Sequence, residues 1–229
     1  GADDVALALS HTRETLKAEI CRNGSRGAFW LEPLVEVELA TGRHAFGPVE
    51  VEDVPELLAC LAGRLEDHPK YLGLTADIPW LANQERVTFA RAGLGDPTCI
   101  HTYRKLSGFS GLEKSATLAP QEIVTQILAS GLRGRGGAAF PTGIKWQTVL
   151  DTPSEQKYIV CNADEGDSGT FADRLLMEAD PFQLIEGMVI AGAAVGATLG
   201  YIYLRSEYPL AHQQLLLALD VARREGYLG

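Results

Sequence analysis

Residues 121–146 read QEIVTQILASGLRGRGGAAFPTGIKW. The first ten follow Pro120 and place Ile123, Val124, Ile127 and Leu128 at helical spacing. Gly131 then stands where a helix C-terminus favours glycine. The remainder crowds five glycines (Gly131, Gly134, Gly136, Gly137, Gly143) and three cations (Arg133, Arg135, Lys145) together, with no acid among them. The element therefore predicts a helix, a cationic glycine loop, and a second short helix at Lys145–Leu150. Glycines let a backbone approach a ligand closely, and free N–H groups with nearby cations suit phosphate oxygens. A purely structural glycine turn is the other reading of the same spacing.

The common nucleotide loops do not fit. A P-loop requires G-x-x-x-x-G-K-[ST]; here Gly143 follows Gly137 by six positions, and Ile144 precedes Lys145. Gly134, Gly136 and Ala139 match G-x-G-x-x-A, but that fingerprint follows a strand, and a helix precedes it here.

Farther on, Lys157–Cys161 (KYIVC) is a β-rich run, followed at once by Asn162-Ala163-Asp164-Glu165-Gly166-Asp167. Polar groups at the carboxyl end of a strand are where open α/β sheets place ligands. Asn, Asp and Gly are also ordinary turn formers. A helix is expected over Pro181–Thr198, a strand at Tyr201–Leu204 and a helix over Pro209–Arg224. Strands alternating with helices imply parallel βαβ packing. Gly187, Gly192 and Gly196 weaken the Pro181 helix, and close packing on the sheet is the expected reason.

The N-terminal part reads differently. Gly1–Ile20 has helical composition. Val35–Leu39 alternates, and Thr41-Gly42-Arg43 signals a hairpin leading into His44-Ala45-Phe46. Val54–Leu65 reads as a helix with Pro55 in its first turn. Between Glu66 and Ala119, Pro69, Pro79, Pro97, Gly93 and Gly95 interrupt any long element, and a connector is expected.

The 229 residues are 46% hydrophobic and 22% charged, an ordinary globular balance for one or two domains. A net charge of −10 disfavours nucleic acid or anionic membrane as partner. The apolar run Met188–Leu199 is too short to span a bilayer. No basic, then apolar, signal opens the chain, although it begins without Met and a removed segment stays open. Cys21, Cys60, Cys99 and Cys161 are widely spaced, without a C-x-x-C pair. Reduced thiols in a cytoplasmic protein and no metal site in this chain are expected.

GLRGRGGAAFPTGIKW, KYIVCNADEGDSGTFADRLLMEADP, IEGMVIAG and GYIYLRSEYP together resemble the flavin subunit of NADH-oxidising complexes. That family spans the flavoprotein subunit of respiratory complex I, the diaphorase subunit of NAD-reducing hydrogenases and the beta subunit of NAD-dependent molybdenum formate dehydrogenases. Asn23–Val37 (NGSRGAFWLEPLVEV), Gln84–Arg91 (QERVTFAR) and Cys161–Thr170 are similar to the formate dehydrogenase form; hydrogenase diaphorases are the alternative. The resemblance implies an α/β chain. A thioredoxin-like domain (1–80, without a cluster), serving docking and spacing, and a connector (81–119) would precede a Rossmann-like parallel flavin-binding domain (120–229). That domain reads as incomplete at its C-terminus. The family's 4Fe–4S cluster belongs to a cysteine run absent here.

The resemblance also implies roles. Gly134, Gly136 and Gly137 would approach FMN and leave room for the nicotinamide of NAD(H), with Arg135 in the same loop. Lys145 would contact FMN, and Phe140 would stack on adenine. Asn162 and Asp164 would contact the flavin. Glu165 would stand beside the nicotinamide, and Asp167 on the nucleotide side. Partners would be a molybdenum-containing catalytic subunit and a small 2Fe–2S subunit. Hydride transfer from nicotinamide to flavin needs orientation and electrostatics and no side-chain nucleophile. His11, His44, His68, His101 and His212 all lie outside these motifs.

Overall fold

The computed structural model describes residues 1–11 and 18–229. The chain forms two compact units, Gly1–Gly95 and Asp96–Gly229. No helix among the described residues is long and apolar enough to cross a membrane.

The first unit opens with helix α1 (Ala2–Ser10). The expected helix ran to Ile20; residues 12–17 lie outside the described set, and Ala18–Ile20 are not helical. The hairpin forms as expected. β1 (Val35–Leu39) and β2 (Gly42–Phe46) pair antiparallel, from Leu39 opposite Gly42 to Val35 opposite Phe46. Helix α2 (Val54–Ala62) stops three residues short of the expected Leu65, at Gly63. The stretch beginning at Glu66, where proline and glycine interrupt any long element, contains a short strand. β3 (Tyr71–Leu74) pairs antiparallel with β2, with a register shift between Ala45 and Phe46. A short helical turn, α3 (Pro79–Ala82), follows. Phe46, Val49, Val54 and Leu57 bury themselves with Val5 of α1 to make the core. Beside it, Arg26 and Glu36 form a buried ion pair at 3.0 Å.

The second unit is helix-rich. α4 (Ile100–Lys105) and α5 (Ser110–Ser115) are short helices that the proline and glycine pattern hid. One carboxylate on the later helix α9 (Pro181–Val195) fastens both. Glu186 accepts the Tyr103 hydroxyl at 2.5 Å and the amides of Phe109 and Leu112 at 2.9 and 3.0 Å. Helices α6 (Pro120–Ser130) and α7 (Thr142–Asp151) bracket the glycine loop. β4 (Tyr158–Ala163) and β5 (Leu199–Leu204) pair in parallel over their whole length, from Tyr158 opposite Leu199 to Ala163 opposite Leu204. Helix α8 (Ala172–Ala179) and α9 cross between them, and α10 (Pro209–Arg224) follows.

Strand alternation divides the side chains of the pair. Cys161, Ala163, Ile202 and Leu204 pack with Met177, Ala211 and Leu215 of the helices. Tyr158, Val160, Tyr201 and Tyr203 project from the other face and are exposed. Ile159 joins α6, α7 and α9 in a further core with Val124, Trp146 and Val195. The Lys157 ammonium donates to the carbonyls of Val149 and Leu150 at 2.7 and 3.0 Å, tying the end of α7 to the start of β4.

The glycines of α9 correct the expectation of close packing on the sheet. Gly196 is the left-handed C-cap of the helix, at φ +76°. A Cβ on Gly187 would meet nothing within 4 Å, and one on Gly192 would approach the Ala197 carbonyl at 3.1 Å. A glycine that does permit close approach of two helices is Gly143. Its Cβ would stand 2.7 Å from the backbone nitrogen of Leu128, so α6 and α7 touch backbone to backbone there. Gly143→Ala should therefore cost about 1–3 kcal/mol through overpacking. Chemical denaturation should show a lower midpoint with an unchanged slope.

Candidate flavin and nucleotide site

The glycine loop is an excursion pinned at its base. The Gly134 amide donates to the Phe140 carbonyl and the Thr142 amide to the Leu132 carbonyl, both at 2.9 Å. Arg133 and Pro141 form an isolated antiparallel bridge, and the Arg133 guanidinium donates to the Ala139 carbonyl at 2.9 Å. Arg133 thus shapes the loop from inside, while Arg135 stands at its exposed tip. Gly137 takes φ +97°, a conformation side chains disfavour, and nothing lies within 4 Å of where its Cβ or that of Gly136 would be. Phe140 is 51% exposed, and Lys145 projects from the second turn of α7.

This donor set fits an anionic, phosphate-bearing ligand. The loop leads into α7, whose first turn holds no acid. The positive end of the helix, the glycine amides, Arg135 and Lys145 therefore reinforce one another.

The acidic segment follows β4. The Asp164 amide donates to the Asn162 side-chain oxygen at 3.1 Å, which turns the chain sharply at the strand end. Asn162, Asp164 and Asp167 are exposed. Glu165 is not: it is 7% exposed, and its carboxylate points inward. Its Oε1 accepts the Asp173 amide at 3.0 Å, and its Oε2 accepts the Arg174 amide at 3.1 Å. The Tyr208 hydroxyl also donates to Oε2 at 3.1 Å. Glu165 therefore caps the N-terminus of α8, a place where the positive helix end favours an anion. Burial, and then the neighbouring Glu165 charge, push the Asp173 carboxyl up. Burial also raises the Cys161 thiol.

The carboxyl end of β5 adds residues that the motif reading did not single out. In the parallel register Asn162 stands opposite Tyr203. Arg205 donates through Nη1 to the Glu165 carbonyl. Its guanidinium lies 5.2 Å from the Tyr208 ring centre, with that of Arg174 at 5.8 Å. The signal was available: the rule that singles out the end of β4 applies equally to β5.

Among the described residues, no hydrogen bond or ion pair joins residues 133–141 to residues 162–167. The two segments share a core through α7 and β4. A groove of about 680 Å³ opens elsewhere in the unit, between α9, α10 and β5, lined by apolar residues such as Met188, Leu215 and Leu219.

Arg205 also pairs with Glu207, Nη2 to Oε1 at 3.2 Å and Nε to Oε2 at 3.3 Å. That side-chain hydrogen bonding holds the Glu207 carboxyl down at about 2, from an ordinary 4.5. A depressed carboxyl contributes stability above its unfolded value and loses that contribution as pH falls toward its folded value. The Glu207 contribution is thus present above 4.5 and fades between 4.5 and about 2. An NMR titration should find the Glu207 carboxyl midpoint near 2, and Arg205→Ala should move it back toward 4.5.

Comparison with known proteins follows the same segments. Residues 127–228 match the family described as the Nuo51 FMN-binding domain. The NADP-reducing hydrogenase subunit HndC of Solidesulfovibrio fructosivorans is 51% identical over 146 residues, which is 64% of this chain and 30% of that protein. A subunit of the NADH-quinone oxidoreductase of Aquifex aeolicus is 46% identical over 130 residues, 57% of this chain and 30% of that protein. The alpha subunit of the NAD-reducing hydrogenase HoxS of Cupriavidus necator is 47% identical over 118 residues, 52% of this chain and 20% of that protein. A solved air-oxidized NAD+-reducing NiFe-hydrogenase aligns with 96% of this chain and 38% of its own, at 25% identity and a TM-score of 0.48. The chain spans about 30% of the length of the first curated relatives it matches. Across residues 127–228, from the second half of α6 to the turn beyond α10, the second unit is similar to the Nuo51 FMN-binding domain family.

Proposed function

We propose that the second unit is part of a diaphorase site that exchanges hydride between NAD(H) and FMN and passes electrons to or from iron–sulfur clusters. The observation that carries this is the open cationic loop at the head of α7, within residues that match an FMN-binding domain. Gly134, Gly136 and Gly137 bring backbone N–H groups to the cofactor, and Arg135 and Lys145 offset its phosphate charge. Phe140, half in solvent, offers a ring for the adenine of the nucleotide. Asn162 and Asp164 orient the flavin from the end of β4. Glu165 and Asp167 set the charge on the nicotinamide side, Glu165 by fixing the acidic segment from within. FMN, when bound, supplies hydride acceptance and release of electrons one at a time. The chain's part is to bind, to orient and to exclude water.

The finer reading is a cytoplasmic formate dehydrogenase that oxidises formate to CO2 with NAD+. A molybdenum-containing subunit and a small 2Fe–2S subunit would be its partners, and a 4Fe–4S cluster would lie outside this chain. Its support is the likeness of Asn23–Val37, Gln84–Arg91 and Cys161–Thr170 to the beta subunit of such enzymes. The first unit, with the thioredoxin-like domain boundary expected near residue 80, would serve docking and spacing and carry no cluster. The second reading is the equivalent subunit of a hydrogenase or of complex I, and the names of the relatives favour it. Those names include both NAD and NADP, so the nucleotide is part of the test.

An anaerobic spectrum of the intact protein carrying this chain, before and after NADH and, separately, NADPH, tests the site and its nucleotide. Bound flavin bleached by NADH is the expected result. A folded protein without flavin would leave the chain a docking module. Bleaching by formate and not by hydrogen selects the finer reading; the reverse selects the hydrogenase. Lys145→Met should weaken FMN binding about tenfold or more, the effect of losing one hydrogen bond to a charged group. Full flavin occupancy in that variant at limiting FMN would remove Lys145 from the site.

A further inference from the structure

Resting on that reading, we propose that Tyr208 is a positioning residue that latches the acidic segment 165–171 through Glu165 and thereby sets affinity on the nucleotide side. Both carboxylate oxygens of Glu165 are engaged inside the protein, by the amides of Asp173 and Arg174 and by the Tyr208 hydroxyl. The carbonyl of the same residue is held by Arg205. Three donors thus fix the Glu165 carboxylate in place. What it controls is where its exposed neighbour Asp167 stands, whereas Asp164 is held to Asn162 by its own amide.

The latch is long-range. Glu165 belongs to the segment after β4, and Tyr208 immediately precedes α10, 43 residues later. Tyr208 is 8% exposed, so its hydroxyl and the Glu165 carboxylate meet away from water, where a hydrogen bond to a charged group is strong and hard to replace. The ring has a second duty beneath the guanidinium groups of Arg174 and Arg205. Arg174 supplies one of the α8 amides, and Arg205 holds the Glu165 carbonyl. One side chain thus braces the acidic segment, the first turn of α8 and the end of β5. Among the described residues, neither its hydrogen bond nor its ring contacts involve the glycine loop. Loosening the latch should therefore disturb the nucleotide side and spare the flavin phosphate side.

Tyr208→Phe removes one oxygen and keeps the ring. In the intact protein it should retain FMN and raise the KM for NADH about tenfold, as loss of one hydrogen bond to a buried charge implies, with a smaller fall in kcat. Amide exchange at Asp173 and Arg174 should quicken, a readout independent of turnover. Glu165→Gln should also raise KM, and the double variant should be no worse than Glu165→Gln alone, because the hydroxyl acts through that carboxylate. Multiplying effects would overturn the latch, as would an unchanged KM in Tyr208→Phe or a loss of flavin in step with it. Should Tyr208→Phe not fold, Glu165→Asp keeps the charge but draws it back from the hydroxyl. It carries the same expectation of raised KM with flavin retained. An unsubstituted protein whose flavin NADH does not bleach overturns the diaphorase reading instead; a bleaching protein that fails these tests overturns the role of Tyr208 alone.

Discussion

The architecture of the second unit turns on one desolvated carboxylate. Glu165 leaves β4 and at once meets the amides that open α8, the hydroxyl that precedes α10, and a guanidinium from the end of β5. A buried carboxylate is costly unless its oxygens are satisfied. Here the donors to the carboxylate come from α8 and from the residue before α10, so satisfying the charge brings those elements together, while Arg205 at the end of β5 holds the backbone carbonyl of the same residue. The parallel pairing of β4 and β5 supplies the frame, and Glu165 fixes how the chain leaves it.

A second carboxylate repeats the device. Glu186 gathers a hydroxyl and two amides from α4 and α5 and pins them to α9. In both cases a helix start takes its anion from a residue outside its own capping positions. α8 shows the consequence for reading a sequence. Phe171, its N-cap residue, makes no side-chain cap hydrogen bond. Local start signals therefore understate the helix, and α8 went unrecognised. α6 and α10 open with proline at their first positions and were legible to the residue. The β1–β2 hairpin was legible from its alternation and turn. β3 was not, because four residues containing Gly73 at φ +85° pair only across a register shift.

The candidate site was legible in the same uneven way. The glycine loop and the polar end of β4 announce themselves by composition. What composition cannot carry is the direction of a side chain. Asp164 and Glu165 are adjacent acids, yet one faces solvent and the other the interior. The difference lies in partners 8 to 43 residues away. The five glycines of the opening stretch likewise separate only in three dimensions. Gly131 ends a helix, Gly136 and Gly137 leave a loop tip open, and Gly143 lets two helices touch.

The two-stranded parallel sheet has a colloidal consequence. Parallel strands are ordinarily covered on both faces and flanked by further strands. Here β4 and β5 have only each other among the described residues, and Tyr158, Val160, Tyr201 and Tyr203 form an uncovered ridge beside two unpaired backbone edges. Such edges recruit other chains. The mutual repulsion of the chain's ten surplus negative charges opposes such recruitment. Salt, or acidification toward its pI of about 5.0, weakens that opposition.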